Sequence, residues 1–412
     1  MIEMYDVIPG CRSCGAEELE LVLALGHMPL SDRLVDTAED AAAEPKVPLT
    51  MVFCPSCTLV QIEETVRPDV LFSEDYPYFS SYSDTLLDHS ERNVAALIER
   101  YQLSSGDLVV ELASNDGYLL QFFADAGIEV LGIDPAPGPA AVAVEHGVPT
   151  MVEFFGRDVA ERLASEGIKA DVLIGNNVLA HVPDQNAFVG AMATLLAPKG
   201  SIVMEVPYVK DLIEHTEFDT IYHEHHCYFS VRSLEALFSR HGLHLNRVEH
   251  HPIHGGSLRF FASADLAREA SVDEYLAAEA AAGMDAIGYY RDFAARVDGV
   301  KLALNDLIDD LRRNGATVAA YGAAAKGAIM LNYTGLNGDQ LDYVVDRNPH
   351  KQGKLMPGVR VPIYDPSKIA KDPPDYLLIL PWNFKEEIME QQSDFAAGGG
   401  RFIVPIPEPR LV

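Results

Sequence analysis

The sequence predicts an α/β protein built from a small zinc-binding amino-terminal domain, a central Rossmann-like domain and a second Rossmann-like domain at the carboxy terminus. Three observations carry this reading. Two C-x-x-C pairs lie close to the amino terminus, at Cys11/Cys14 and Cys54/Cys57. Apolar strand-like runs ("DLVVEL", "IEVLGID", "ADVLIGNN", "GSIVMEV") alternate with helical patterns, the signature of a parallel, doubly wound sheet. A second alternation starts at "ATVAAYGAAAKGAIM" and runs on through "LDYVVD" and "DYLLIL". At 412 residues the chain exceeds one typical core, so several domains are expected. The expected boundaries are 1–70, 71–270 and 271–412.

The amino-terminal block carries "CRSC" and "CPSC", each a tight turn that places two thiolates together. Two such turns complete a tetrahedral four-thiolate site, and soft thiolates suit zinc. Cys11, Cys14, Cys54 and Cys57 are the expected ligands. A closed set of four leaves no open position for chemistry, so the zinc is expected to be structural. Cys227 should take no part. A short β-rich module follows from "KVPLTMVFC" and "LVQIEE", and then a helix over 85–102, where apolar residues recur at three and four.

In the central block the first strand ends in "VVELASNDG", an acid followed by a glycine turn. The next strand ends in Asp134 about twenty residues on, where a carboxylate can accept ribose hydroxyls. No G-x-G-x-x-G follows the first strand, so there is no pyrophosphate cradle there. An Ala/Glu-rich helical stretch over 273–314 leads to the last block. There Lys326, in "YGAAAKG", sits where strand gives way to helix, a natural pyrophosphate site, with Arg347 and Lys351 adding positive charge nearby.

Composition excludes several classes. The 31 basic and 62 acidic residues give a net charge of −31, which disfavours nucleic acid as a partner. No run of about 18 apolar residues offers a membrane span, and no leader-like segment opens the chain. A cytoplasmic monomer is the expectation.

The stretch "YHEHHCYFS" (222–230) crowds three histidines, a glutamate and two tyrosines together. As a metal site it lacks the i, i+4 spacing of H-E-x-x-H. A general acid/base cluster and a plain polar loop both remain open on residue types alone. In order, "CRSC", "CPSC", "YPYFSSYS", "ELASNDGYLL", "GNNVLAHVPD", "YHEHHCYFS", "HGGSLRFF" and "YGAAAKG" resemble the three-domain S-adenosylmethionine-dependent C-methyltransferases of nucleotide-linked 4-keto-deoxysugars. The resemblance covers nearly the whole chain.

The resemblance implies methyl transfer, by way of an enolate, to the carbon beside the ketone (C-3) of a TDP-linked sugar in deoxysugar biosynthesis. It implies His225 as the base, with Tyr222 as an oxyanion donor and Glu224 fixing an imidazole or a sugar substituent; Tyr76 and His181 would also join the catalytic group. Cofactor contacts are implied for Tyr78, Ser80, Glu111, Ala113, Asn115, Gly117, Asp134, Asn176 and Asn177. Acceptor contacts are implied for His223, His254, Gly255, Lys326, Arg347 and Lys351. The imidazoles at 223 and 226 depart from the family pattern and leave the acceptor sugar open. Two other classes stay in view: an NAD-dependent oxidoreductase using "YGAAAKG" as its cofactor turn, and a non-catalytic zinc-stabilised binding protein. Methylation of oxygen or nitrogen also stays open.

Overall fold

The computed structural model describes residues 4–37, 39–40, 44–71 and 79–412. The first block forms strands β1 (Tyr5–Val7), β2 (Glu20–Pro29), β3 (Lys46–Phe53), β4 (Val60–Ile62) and β5 (Glu64–Val66). β1 pairs with β5, while β2, β3 and β4 make an antiparallel meander. Along β3 the side chains of Val47, Leu49, Met51 and Phe53 are buried at every second position, the period a sheet with one inward face demands.

The central sheet contains β6 (Leu108–Leu112), β7 (Glu129–Ile133), β8 (Thr150–Met151), β9 (Ala170–Asn176) and β10 (Leu196–Pro207), all parallel. Next in the chain, β11 (Cys227–Tyr228) leaves this sheet and pairs antiparallel with β4 of the first block. The hairpin of β12 (His244–His251) and β13 (Ser257–Ser263) then returns, giving the order β12-β13-β10-β9-β6-β7-β8. Strands β6 and β9 are apolar on both faces because helices cover both, as parallel sheets require. The strand order reverses between β6 and β9, which opens a crevice at their carboxyl ends. The expected helix before the sheet spans Asp84–Tyr101, and the Ser83 hydroxyl caps it by accepting the Leu86 N–H.

The helical stretch expected as one joining segment is two helices, Ala270–Ala282 and Phe293–Arg313, with Gly283 ending the first in a left-handed cap. The last block holds β14 (Val318–Tyr321), β15 (Val344–Val345), β16 (Ile363–Tyr364), β17 (Tyr376–Ile379), β18 (Arg401–Val404) and β19 (Arg410–Leu411). Their order is β16-β15-β14-β17-β18-β19, parallel except for β19, with a second reversal between β14 and β17. Gly322 follows β14 at that reversal with φ +92°, and a Cβ there would lie 2.4 Å from the Pro381 ring, so only glycine fits. Among the described residues no helix is long and apolar enough to cross a membrane.

Candidate active site and zinc centre

The two knuckles are built alike. Gly15 N–H donates to the Cys11 carbonyl at 2.8 Å, and Thr58 N–H donates to the Cys54 carbonyl at 2.8 Å. Both residues after the pairs are left-handed, Gly15 at φ 76° and Thr58 at φ 62°. The turns bring Cys11 Sγ to 3.5 Å from Cys57 Sγ, Cys14 Sγ to 3.5 Å from Cys54 Sγ, and all four sulfurs within 4.8 Å of one another. Thiolates around one zinc at about 2.3 Å stand roughly 3.8 Å apart. These spacings fit that, and they are far beyond the ~2.05 Å of a disulfide. The four cysteines therefore fit a closed zinc site. Cys227 is buried outside it, and burial pushes its thiol up to about 12. Among the described residues no other group of histidines, cysteines and carboxylates converges as a metal site.

The module is joined to the central block through the first knuckle. Arg12 donates to the carbonyls of Ile62, Glu64 and Pro183, and Asn186 Nδ2 donates to the carbonyls of Arg12 and Ser13. The histidine-rich stretch 222–230 rides on this joint. In β11, Cys227 faces Gln61 and Tyr228 faces Val60, and Ile62 N–H donates to the His226 carbonyl at 3.0 Å. His226 N–H donates in turn to the Ala180 carbonyl at 2.7 Å.

A cavity of about 290 Å³ opens at the reversal between β6 and β9, close to the ~300 Å³ at which small-molecule sites begin. Of the expected cofactor residues, Ser80, Ala113, Asn115, Asp134, Asn176 and Asn177 line it, and so does His181. Ala113, Asn115 and Asn177 hold left-handed φ of 56°, 50° and 56°, strain of the kind that collects at binding sites. Asp134 accepts N–H bonds from Asn115 (2.9 Å) and Ala136 (2.8 Å), which fixes its carboxylate at the end of β7. The donor set suits a nucleoside with an amino-acid tail: a carboxylate for ribose, left-handed backbone close by, and apolar walls from Pro135, Phe154, Phe155 and Phe188.

Glu111 lies beneath the loop rather than on the cavity wall. It is fully buried with neither carboxylate oxygen partnered among the described residues, and burial raises it well above the usual carboxylate range. Gly117 sits at the far end of the same turn with φ 79° and is likewise off the wall. Phe154 and Phe155 escaped the sequence reading. The signal was there, an aromatic pair just past the carboxyl end of a short strand, where ligands of such sheets bind.

A second cavity of about 180 Å³ lies at the mouth of the last sheet and is walled on one side by the central block. Gly322, Ala324, Asp346, Arg347, Asn348 and Lys351 line the first side, and Phe79, Ser80, Ser83 and Leu86 the other. Ser80 and Leu86 belong to both cavities, so the two spaces adjoin. Arg347 pairs loosely with Glu387 at 3.5 Å, and Lys351 Nζ donates to the Ala323 carbonyl at 2.8 Å.

His225 is fixed by two bonds. Its Nδ1 lies 3.0 Å from the Thr220 carbonyl and its Nε2 2.9 Å from the Tyr222 hydroxyl. A carbonyl only accepts, so Nδ1 carries the proton and Nε2 offers its lone pair to Tyr222. Burial, with His181 and Lys326 adding repulsion, holds this imidazole well below its usual range, so it is neutral. The His181 ring stands edge-on at 4.7 Å, linking His225 to the cofactor cavity, and burial holds His181 itself at about 4.

Several expected roles change. His223 is wholly buried with Nε2 on the carbonyls of Val47 and Pro48, so it ties the stretch to β3 and does not meet an acceptor. Glu224 does not orient His225, whose two nitrogens are taken; its carboxyl shares a hydrogen bond with Asp32 of the first block, and burial with Asp32 raises it well above the usual range. Gly255 was expected to admit a sugar, yet a Cβ there would lie 2.5 Å from Glu217 Oε2, so the glycine makes room for that carboxylate. His254, at φ 58°, turns its ring toward Phe384, 5.8 Å between centroids. Lys326 lines neither cavity; its Nζ donates to Asn383 Oδ1 at 2.7 Å and stands 4.7 Å over the Trp382 ring. Tyr76 and Tyr78 lie outside the described residues.

Comparison with known proteins agrees with this layout. A family model described as "C-methyltransferase C-terminal domain" matches residues 252–407, a "Methyltransferase domain" matches 86–248 and a zinc binding domain matches 11–72. C-methyltransferase NovU of Streptomyces niveus is 40% identical over 415 residues, covering 100% of this chain and 99% of its own. A ubiquinone biosynthesis O-methyltransferase of Bartonella tribocorum is 32% identical over 93 residues, 22% of this chain and 38% of that protein. Among solved structures, the magnesium protoporphyrin IX methyltransferase of Synechocystis with bound S-adenosylhomocysteine is 18% identical and covers 43% of this chain and 82% of its own, with a TM-score of 0.34.

Proposed function

Because the chain belongs to the S-adenosylmethionine-dependent C-methyltransferase family, we propose that it methylates the carbon beside the ketone of a nucleotide-linked deoxysugar, a TDP-4-keto-sugar methylated at C-3. The observation that carries this reading is the meeting of two adjoining cavities at Ser80 and Leu86, with a neutral, doubly anchored imidazole reached through His181. The first cavity suits the cofactor, which when bound supplies a sulfonium methyl. The second suits the nucleotide and pyrophosphate, with Arg347 and Lys351 as the local cations in a chain of net charge −31.

Methylating carbon requires a base that is unprotonated at working pH. His225 meets this: Thr220 fixes the tautomer, and burial keeps Nε2 free of a proton. Tyr222 covers Nε2 at rest, so the acceptor's α-carbon must take the place of that hydroxyl for the proton to move. Incubation with a panel of TDP-keto-sugars and methyl-labelled S-adenosylmethionine, with the methyl located by NMR, tests the reading. A new methyl carbon bonded at C-3 is expected. A methyl on oxygen or nitrogen, or no reaction with any keto-sugar, would overturn it.

A further inference from the structure

The Lys326 side chain is partly buried between the last block and the central one. Its only hydrogen-bond acceptor among the described residues is the neutral Asn383 Oδ1, and no described carboxylate is within ion-pairing distance. Trp382, whose ring the ammonium faces, donates Nε1–H to Asp219 Oδ2 at 2.8 Å. Asp219 precedes Thr220, the residue whose carbonyl holds His225 Nδ1. From the other side, the Phe384 ring meets His254. Lys326 therefore sits in a frame whose two ends are the His225 and His254 imidazoles. Its charge lowers the proton affinity of both, while burial lowers that of Lys326 itself and Asp219 and Glu217 raise it. The Asp219 and Glu217 carboxylates favour its charge from beyond ion-pairing distance, and with one neutral acceptor the ammonium keeps donors for an incoming oxyanion.

The pyrophosphate does not suit that place, because the cavity carrying Arg347 and Lys351 lies elsewhere and Lys326 does not line it. Tyr222 has a single proton, and it points at His225 Nε2. That proton is committed at rest, and even once the acceptor displaces it, one neutral hydroxyl offers a full oxyanion less than an ammonium does. We propose that Lys326 is a catalytic residue whose ammonium hydrogen-bonds the acceptor's ketone oxygen and stabilises the enolate formed when His225 takes the α-proton. The C–H bond breaks, its proton passes to Nε2, and the electron pair moves through carbon onto the oxygen that Lys326 holds. Donors aimed at a developing oxyanion in a dry site act mainly on turnover.

This inference rests on the keto-sugar reading, and the test separates the two. α-Proton exchange of a TDP-4-keto-sugar with deuterated water is followed with S-adenosylhomocysteine bound, alongside methylation kinetics. Lys326→Met should slow exchange and kcat by about 10²–10³-fold while KM changes less than about threefold. Lys326→Arg should recover part of the rate, and a small primary ammonium should rescue Lys326→Ala. S-adenosylmethionine binding by each variant shows that it is folded; if Lys326→Met fails that check, the arginine variant and the amine rescue decide. A raised KM with kcat preserved would make Lys326 a pyrophosphate anchor, and unchanged kinetics would make it structural; either overturns the inference. If the wild type exchanges no α-proton from any keto-sugar, the substrate reading falls, and this inference with it.

Discussion

His225 and Asp134 show how far a single side chain's role is set by its hydrogen bonds. The His225 proton is locked on Nδ1 by Thr220, and His181, His226 and Lys326 all oppose its protonation in addition to burial. A group whose folded pKa lies below the ordinary value stays deprotonated as pH falls through that value. The acid limb of α-proton exchange should therefore lie below pH ~6.5, the unperturbed imidazole value. A limb at or above 6.5 would assign the base elsewhere. Asp134 already accepts two N–H bonds, so Asp134→Ala removes the proposed ribose acceptor and loosens the Asn115 turn at once. Bonds to a charged acceptor are worth about 1.5–3 kcal/mol, so S-adenosylmethionine affinity should fall roughly tenfold to a hundredfold in calorimetry. The position of Asp134 on the cavity wall could be read from its place at a strand end. That of His223 could not, because its partners, Val47 and Pro48, lie some 175 residues away in the chain.

At the level of elements, the zinc module supplies a strand edge. Among the described residues the two of β11 have only β4 as a sheet partner, and the same segment carries Tyr222, Glu224 and His225. Stripping zinc with a strong chelator should therefore abolish methylation while S-adenosylmethionine still binds, since the cofactor cavity is walled by the central sheet and its loops. Equal loss of both would mean that the module supports the whole fold. The second knuckle offers a finer test. Thr58 is β-branched yet left-handed, and its hydroxyl is buried without a partner among the described residues. A left-handed non-glycine costs about 1–2 kcal/mol, partly offset by the ~0.5–1 kcal/mol of freedom that glycine loses on folding. Thr58→Gly should raise the melting temperature by a few degrees without touching activity. Cysteine spacing and strand–helix alternation were legible because both are local patterns. The pairing of β11 with β4 was not, since no periodicity links residue 60 to residue 228.

Across the whole molecule, the labour is divided between two parallel sheets that each present a reversal to the same gap. In the proposed reading the central sheet serves the cofactor, and the last sheet would serve the nucleotide through Gly322, Asp346 and the loop carrying Arg347 and Lys351. The two sites share walls but not charges, so their affinities should separate on mutation. With a net charge of −31, a diphosphate approaches against an opposing field, and each local cation weighs more than it would on a neutral surface. Arg347 is half-exposed and spends part of its charge on Glu387. Arg347→Ala should weaken binding of TDP, measured alone by calorimetry, about tenfold, the worth of one charge-assisted contact. Glu387→Gln frees the guanidinium and should tighten TDP binding by a smaller factor. Neither change should move S-adenosylmethionine affinity beyond about twofold, because no residue of that loop reaches the cofactor cavity. If TDP affinity proved indifferent to both substitutions, the nucleotide would have to lie outside this cavity, and the last sheet would lose its assigned part in holding the acceptor.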